Sequence, residues 1–203
     1  MEATTPPAAS VVASDYPVRF DVEYPERLSR WKIFVKWIFA IPHLIIVYLL
    51  QIVNSVMVFI AFFAILFTKK WPRGMFDFSL QIHRWTANVF AYAFLLLRDE
   101  YPPFTGEAGA YPLTLDVEYR EDLSRWMIFV KWLLVLPHLI ILTFLAIAAY
   151  FVVLIALFAI LFTGRYPRGM FDFVVGTYRW LTRVSAYSTW LMTDRYPPFR
   201  LNP

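Results

Sequence analysis

Cysteine is absent from all 203 residues. That excludes disulfides, thiolate metal sites, iron–sulfur clusters and cysteine nucleophiles, and it leaves the redox compartment undetermined. Charge is scarce as well: Asp, Glu, Lys and Arg make up 17% of the chain, against about 25% in an ordinary soluble domain. No GxGxxG, Walker loop, GxSxG, HExxH or EF-hand pattern occurs, so the sequence offers no recognisable machinery for catalysis. Residues 1–15 lack a basic stretch followed by an apolar one, so no cleaved signal peptide is expected. Their Pro, Ala, Ser and Thr content reads as a disordered tail.

What is present in excess is apolar. Hydrophobic residues reach 60% and aromatics 20%, where about 45–50% apolar is usual. A soluble sphere of this size has too little interior to hide that surface. The net charge of +4 comes from Lys and Arg that flank apolar runs rather than forming a dense basic tract. That placement anchors helices at lipid headgroups and argues against a nucleic-acid partner. The lipid bilayer is the expected partner, with other membrane subunits or self-association beside it.

The chain is one unit written twice. Tyr16–Thr105 aligns with Tyr111–Arg200 at a constant offset of 95 without a gap, and about 50 of roughly 90 pairs are identical. The organisation expected is a tail (1–15), unit one (16–105), a linker (106–110) and unit two (111–200). Any site shared by both copies should recur at the same offset.

Each unit reads in three parts. YPVRFDVEYPE (residues 16–26) alternates, with Val18, Phe20, Val22 and Tyr24 on one side, as a short strand outside the lipid does. An apolar stretch follows, Trp31–Phe67 in one copy and Trp126–Phe162 in the other. It would measure roughly 55 Å as one helix, against a hydrocarbon core of about 30 Å. Division at Pro42 and Pro137 is therefore expected. Leu28–Ile41 then forms an interfacial helix with Lys stems snorkelling, and His43–Phe67 a single transmembrane span. The third part, Met75–Leu97 and Met170–Met192, carries an apolar stripe of Phe78, Ile82, Trp85, Val89, Tyr92 and Leu96. Asp77, Gln81, Arg84 and Asn88 lie on another face. This helix either spans, with Arg84 and Arg179 packed against protein, or lies in the interface; the apolar run Val89–Leu97 favours spanning. The expected class is an all-α integral membrane protein, mainly α with short extramembrane strands. Such units return the chain to its starting side, so the two copies should be parallel. The expected location is the inner membrane, multi-pass, with the termini in the cytoplasm.

Few residues suggest chemistry. His43 and His138 occupy matching places in IPHLII and LPHLII, and paired imidazoles could ligate a haem or pigment. The plainer reading is a residue of a helix start meeting backbone or headgroups, and no cofactor is expected. Arg73 and Asp77, and their equivalents Arg168 and Asp172, have i,i+4 spacing for an ion pair. Arg84 and Arg179 lie seven residues beyond the acids, so an Asp–Arg relay or lipid-contact site is the functional reading and a structural pair the plainer one. Glu26 with Arg30, and Glu121 with Arg125, repeat that spacing. The YPPF elements (101–104 and 196–199) read as aromatic anchors that end helices.

The strings EYPERLSRW, AIPHLII, ILFTGRYPRGMFDF and RYPPF, with the YRW…AY run, resemble the bacterial membrane family catalogued as domain of unknown function 4389. The resemblance covers about 90% of the chain as two tandem copies. The departures are small: KKWPRG stands in the first loop and Arg120 where the first unit has Pro25. The resemblance implies the architecture and supplies no catalytic residues. The leading expectation is a non-catalytic scaffold or accessory subunit of a membrane complex. A small-solute or lipid transporter, or a lipid-binding protein, comes second, and a pigment or cofactor subunit through His43 and His138 third.

Overall fold

The computed structural model describes residues 16–203; the tail expected over 1–15 lies outside the described residues. The order is β1 (Val18–Val22), α1 (Lys32–Thr68), α2 (Arg73–Ala93), β2 (Leu113–Val117), α3 (Met127–Leu134), α4 (Leu136–Thr163) and α5 (Arg168–Ser188). The fold is mainly helical with one small sheet. Two of its helices, α1 and α4, are long and apolar enough to cross a membrane.

Both strands bury alternate residues, as the period-two pattern requires. They pair antiparallel with Phe20 opposite Leu115 and Val18 opposite Val117. Phe20 and Leu115 are equivalent positions of the two copies, so a pseudo-twofold axis passes between them. β1 packs on α5 and β2 on α2. Each copy thus lays its strand on the other copy's second helix.

The expected division at the prolines is corrected in the first unit and found, two residues early, in the second. α1 runs unbroken through Pro42. In the second unit the interruption is one residue, Val135, whose N–H still reaches the Lys131 carbonyl at 3.1 Å. One missing donor kinks a helix whose remaining ladder is intact. A separate short helix, α3, precedes the long one in the second unit, whereas in the first unit the equivalent residues are the opening turns of α1. The single long apolar helix in each unit, without a hairpin near residues 51–55, is found.

The parallel arrangement of the copies is also corrected. The Leu123 N–H bonds the Lys69 carbonyl at 2.9 Å, and the Leu28 N–H bonds the Gly164 carbonyl at 2.8 Å. Each long helix therefore ends where the other begins, and Phe62 meets Phe129 edge-on. α1 and α4 run in opposite senses. The segment 94–126 carries the chain from one end of α1 to the other before the helices of the second copy start. Sequence reasoning assumed a chain that turned back at once.

α2 lies antiparallel along α1 for its whole length, as the contacts Asn54–Ser79, Gln51–Thr86, His43–Trp85 and Lys36–Arg98 show. Of its expected stripe, Ile82, Val89 and Tyr92 are buried, Leu96 is buried beyond the helix end, and Phe78 is exposed. Of the expected polar face, Gln81 is exposed and Asp77 and Arg84 are half-buried, while Asn88 and its equivalent Arg183 turn inward. Two helices packed on both an apolar partner and a sheet have little surface left for solvent.

One contact shows how closely the copies match. A Cβ added at Gly106 would stand 1.8 Å from the Gln81 carbonyl oxygen, and one at Gly176 2.9 Å from the Leu201 side chain. Gly176 is the equivalent of Gln81 and Leu201 that of Gly106. The same close approach is kept in both copies with the glycine on opposite partners.

Candidate functional site

The strongest chemistry in the molecule is duplicated. Lys36, on the inward face of α1, is 1% exposed and lies 2.8 Å from Asp99 Oδ1; Lys131 and Asp194 repeat this at 2.7 Å. Each ammonium also donates to a carbonyl, Arg98 at 2.6 Å and Thr193 at 2.8 Å, and stands 5.2 Å from the ring centre of Tyr92 or Tyr187. At these distances each Lys–Asp contact is a buried ion pair. The other carboxylate oxygen accepts the backbone N–H of Ser29 or Ser124. The pair therefore ties the entry of each long helix to the exit of the helix beside it.

Sequence reading missed this site by assigning Lys36 to snorkelling. The structure corrects that: neither Lys36 nor Lys131 reaches outward. The available signal was that Lys and Asp recur at offset 95 while neighbouring charges such as Lys32, Arg98 and Glu100 do not.

Two turns further along, His43 and His138 are fully buried. The Trp85 indole donates to His43 Nδ1 at 3.0 Å, and Trp180 donates to His138 Nδ1 at 2.9 Å. An indole is a donor only, so Nδ1 accepts and the ring proton sits on Nε2. Phe104 stacks on His43 with centroids 4.0 Å apart, and Phe199 on His138 at 3.8 Å. Tyr101 and Tyr196 close the third side, Tyr101 donating its hydroxyl to the Phe39 carbonyl on α1 and Tyr196 to the Leu134 carbonyl at the end of α3. The YPPF elements thus fold back as lids on the histidines as well as presenting half-exposed rings. His43 Nε2 and His138 Nε2 are enclosed without a protein partner. The geometry suits a packed cage and leaves no opening for a planar macrocycle.

The arginines divide into two sets. Arg73 pairs with Asp77 at 3.0 Å and Arg168 with Asp172 at 3.1 Å, both i,i+4 and exposed. Each guanidinium also covers a tyrosine of the other copy, Tyr119 or Tyr24, at 4.5 Å. Arg84 and Arg179 do not join these acids. Arg84 reaches across to Asp116 and the Leu115 carbonyl on β2, at 2.8 and 2.7 Å. Arg179 reaches Asp21 and the Phe20 carbonyl on β1, both at 2.8 Å. Both are clamps between the copies. Glu121 pairs with Lys70, and Arg125 donates to the Phe67 carbonyl, so the expected Glu121–Arg125 pair does not form.

One polar cluster has no duplicate. The Ser79 hydroxyl donates to Asn54 Oδ1 at 2.5 Å, Asn54 Nδ2 lies 3.4 Å from His83 Nε2, and His83 stacks on Trp190 at 3.7 Å. Burial lowers the His83 pKa to about 3. The second copy has Val174, Ala149 and Tyr178 there. An apolar cavity of about 370 Å³ occupies that side, walled by Leu95, Ala146, Ala149, Leu157 and Tyr178 among others. It stays open because Leu95 stands where the first copy's counterpart space is filled by Trp190. Among the described residues, no group of three His, Asp or Glu is placed to hold a metal ion.

A family model described as a domain of unknown function (DUF4389) matches the chain twice, over residues 30–106 and 125–200. No curated protein and no solved structure matches it. Both matched segments contain the Lys–Asp pair and the caged histidine.

Proposed function

We propose that this chain, which belongs to the DUF4389 family and carries that domain in two copies, is a non-catalytic membrane-embedded scaffold or accessory subunit. One observation carries the reading. The duplicated polar groups are engaged within the chain itself, lysine by aspartate and carbonyl, histidine by tryptophan, arginine by strand. The long helices α1 and α4, by contrast, present exposed Trp, Phe, Ile and Leu over most of their circumference. Contiguous apolar surface of that extent belongs to lipid or to partner helices. The internal charges are therefore devices that brace each unit, through Lys36–Asp99 and Lys131–Asp194, and clamp the two units together, through Arg84 and Arg179; the outer faces are what the protein offers. The reading includes an inner-membrane location.

The test is fractionation followed by native mass spectrometry from gently solubilised membranes. Retention in the membrane pellet through alkaline extraction, with a partner or a second copy bound, supports it. A strictly monomeric protein that recovers no partner overturns the scaffold role.

A lipid-binding role is the second reading, favoured by the cavity beside Leu95. Its volume lies within the roughly 300–1,000 Å³ of small-molecule sites, and no charged residue lines it. Leu95→Trp, which copies the filled counterpart, removes co-purifying lipid if that reading holds and leaves it unchanged if it does not. The transporter form has less support, because Arg84 and Arg179 meet strand carboxylates rather than Asp77 and Asp172.

A further inference from the structure

We infer that the protein lies along one leaflet of a phospholipid bilayer, with α1 and α4 in the plane of the membrane and the sheet above them in water. The inference rests on the membrane-embedded reading and decides how the embedding is done.

Three observations lead to it. The first is the path of the chain. Asp99 sits at the start of α1 beside Lys36, and Leu123 sits at its end beside Lys69. Were α1 to cross the bilayer, the segment between them would have to cross as well. That segment is non-helical except for five residues of strand, and over 98–122 it carries nine charged side chains. Backbone outside a helix or closed barrel leaves N–H and C=O groups that hydrocarbon cannot satisfy, and a charge at mid-bilayer costs several kcal/mol on most scales.

The second is the level of the sheet. Arg84, midway along α2, holds Asp116 of β2, and the same stretch of α2 lies against Gln51 and Asn54 at the middle of α1. The outward row of the sheet is Arg19 and Asp21 on β1 with Glu23 just past its end, and Thr114 and Asp116 on β2 with Glu118 just past its end, all exposed. A spanning α1 would hold this row at the bilayer centre. An in-plane α1 leaves it in water.

The third is charge at the ends. Lys69, Lys70 and Arg73 lie at one end of α1, while Arg27, Arg30 and Arg165 gather around a pocket at the other. Spanning proteins bias Lys and Arg toward one side. Here both ends are basic, which fits a helix whose two ends meet the anionic headgroups of the same leaflet. Exposed Trp31, Trp37, Trp126 and Trp132 suit headgroup level. A typical interfacial helix needs a polar face of its own. In this fold α2, α5 and the sheet supply the watery side instead, so α1 and α4 are free to be apolar nearly all round.

The absence of cysteine makes the test direct. Single-cysteine variants Arg27→Cys, Lys70→Cys and Glu23→Cys, in the full chain in sealed native membrane vesicles, are exposed to an impermeant maleimide before and after permeabilisation. The in-plane arrangement predicts that all three label from the same side. Labelling of Arg27→Cys and Lys70→Cys from opposite sides overturns it while leaving the membrane reading intact. Recovery of the protein in the soluble fraction instead overturns the membrane reading itself. Asp122→Cys and Arg165→Cys repeat the comparison through the second copy, should a first-copy variant fail to fold. Polarised infrared dichroism of the unmodified protein in oriented phosphatidylglycerol-containing bilayers reads the same thing without substitution. Helix axes predominantly parallel to the bilayer plane support the inference, and axes along the normal refute it.

Discussion

Truncating Asp99 to alanine leaves the Lys36 ammonium buried with one carbonyl and the face of Tyr92 for company. Breaking a buried ion pair from one side costs about 3–5 kcal/mol, because the surviving charge has lost its counter-ion and not its desolvation. Asp99 itself is 16% exposed, so water can reach the vacated space and favours the lower part of that range. Loss of the acceptor for the Ser29 N–H adds about 1 kcal/mol. The net expectation is a loss of about 3–5 kcal/mol, a large share of the roughly 5–15 kcal/mol that holds a domain together. Asp99→Asn keeps the Ser29 acceptor and should cost less. Lys36→Met combined with Asp99→Asn should recover most of the loss, since replacing both charges removes the desolvation penalty with the attraction. Equilibrium unfolding in mild detergent, followed by circular dichroism for Lys36→Met, Asp99→Asn and the double, gives the coupling directly. Asp194→Ala in the second copy should match within about 1 kcal/mol, as the geometry does. A cost under about 1 kcal/mol for Asp99→Ala would place the pair with exposed surface bridges and refute the reasoning.

Burial holds the His83 pKa at about 3, below its ordinary 6.5. The unfolded chain therefore takes up a proton that the fold does not, and the stability present above pH 6.5 is lost as pH falls toward 3. The slope from this group is about 1.4 kcal/mol per pH unit; His83→Gln should flatten it, and an unchanged acid profile would contradict the assignment. For Glu100, burial raises the carboxyl pKa, but hydrogen bonds from the Arg98 guanidinium and from backbone N–H groups outweigh it and hold the value below the usual range. That stabilisation is present above the unfolded carboxyl pKa and disappears as pH falls through the depressed one, so Glu100→Gln should titrate less steeply below about pH 4.3. Gly106→Ala should lower the melting temperature measurably, because its Cβ would collide with the Gln81 backbone; a wild-type melting curve would show that the loop can move away. Arg179→Leu unpairs Asp21 and frees the carbonyls of Phe20 and Leu201. It should destabilise the fold by about 2–4 kcal/mol in unfolding titrations, whereas loss of solute flux in a fully stable variant would revive the transporter reading.

Local patterns carried far in this sequence, and long-range pairings did not. Alternation gave β1 because Val18, Phe20 and Val22 face a core on one side only. The i,i+4 spacing gave Arg73–Asp77 and Arg168–Asp172 because both members share one helix turn. The repeat located His43 and His138, yet their cages come from Trp85 and Tyr101, or Trp180 and Tyr196, at distances along the chain that no period describes. Lys36 looked like a snorkelling residue because its neighbours are Trp37 and Phe34; its true partner lies 63 positions away at Asp99.

The largest departure has the same origin. Whether two homologous units sit parallel or antiparallel depends on which strand pairs with which, and identical units offer no local signal for it. β1 pairs with its own duplicate antiparallel, with the equivalent residues Phe20 and Leu115 opposite each other, and that relates the copies by a twofold axis. That pairing forces the intervening chain to travel the length of α1. The polar composition of 94–126, which reads as an ordinary loop and strand, then becomes the strongest constraint on how the apolar helices meet a bilayer. Conflicting basic loops at both ends of the long helices defeat the usual assignment of sides, and they stop conflicting once both ends lie on one surface.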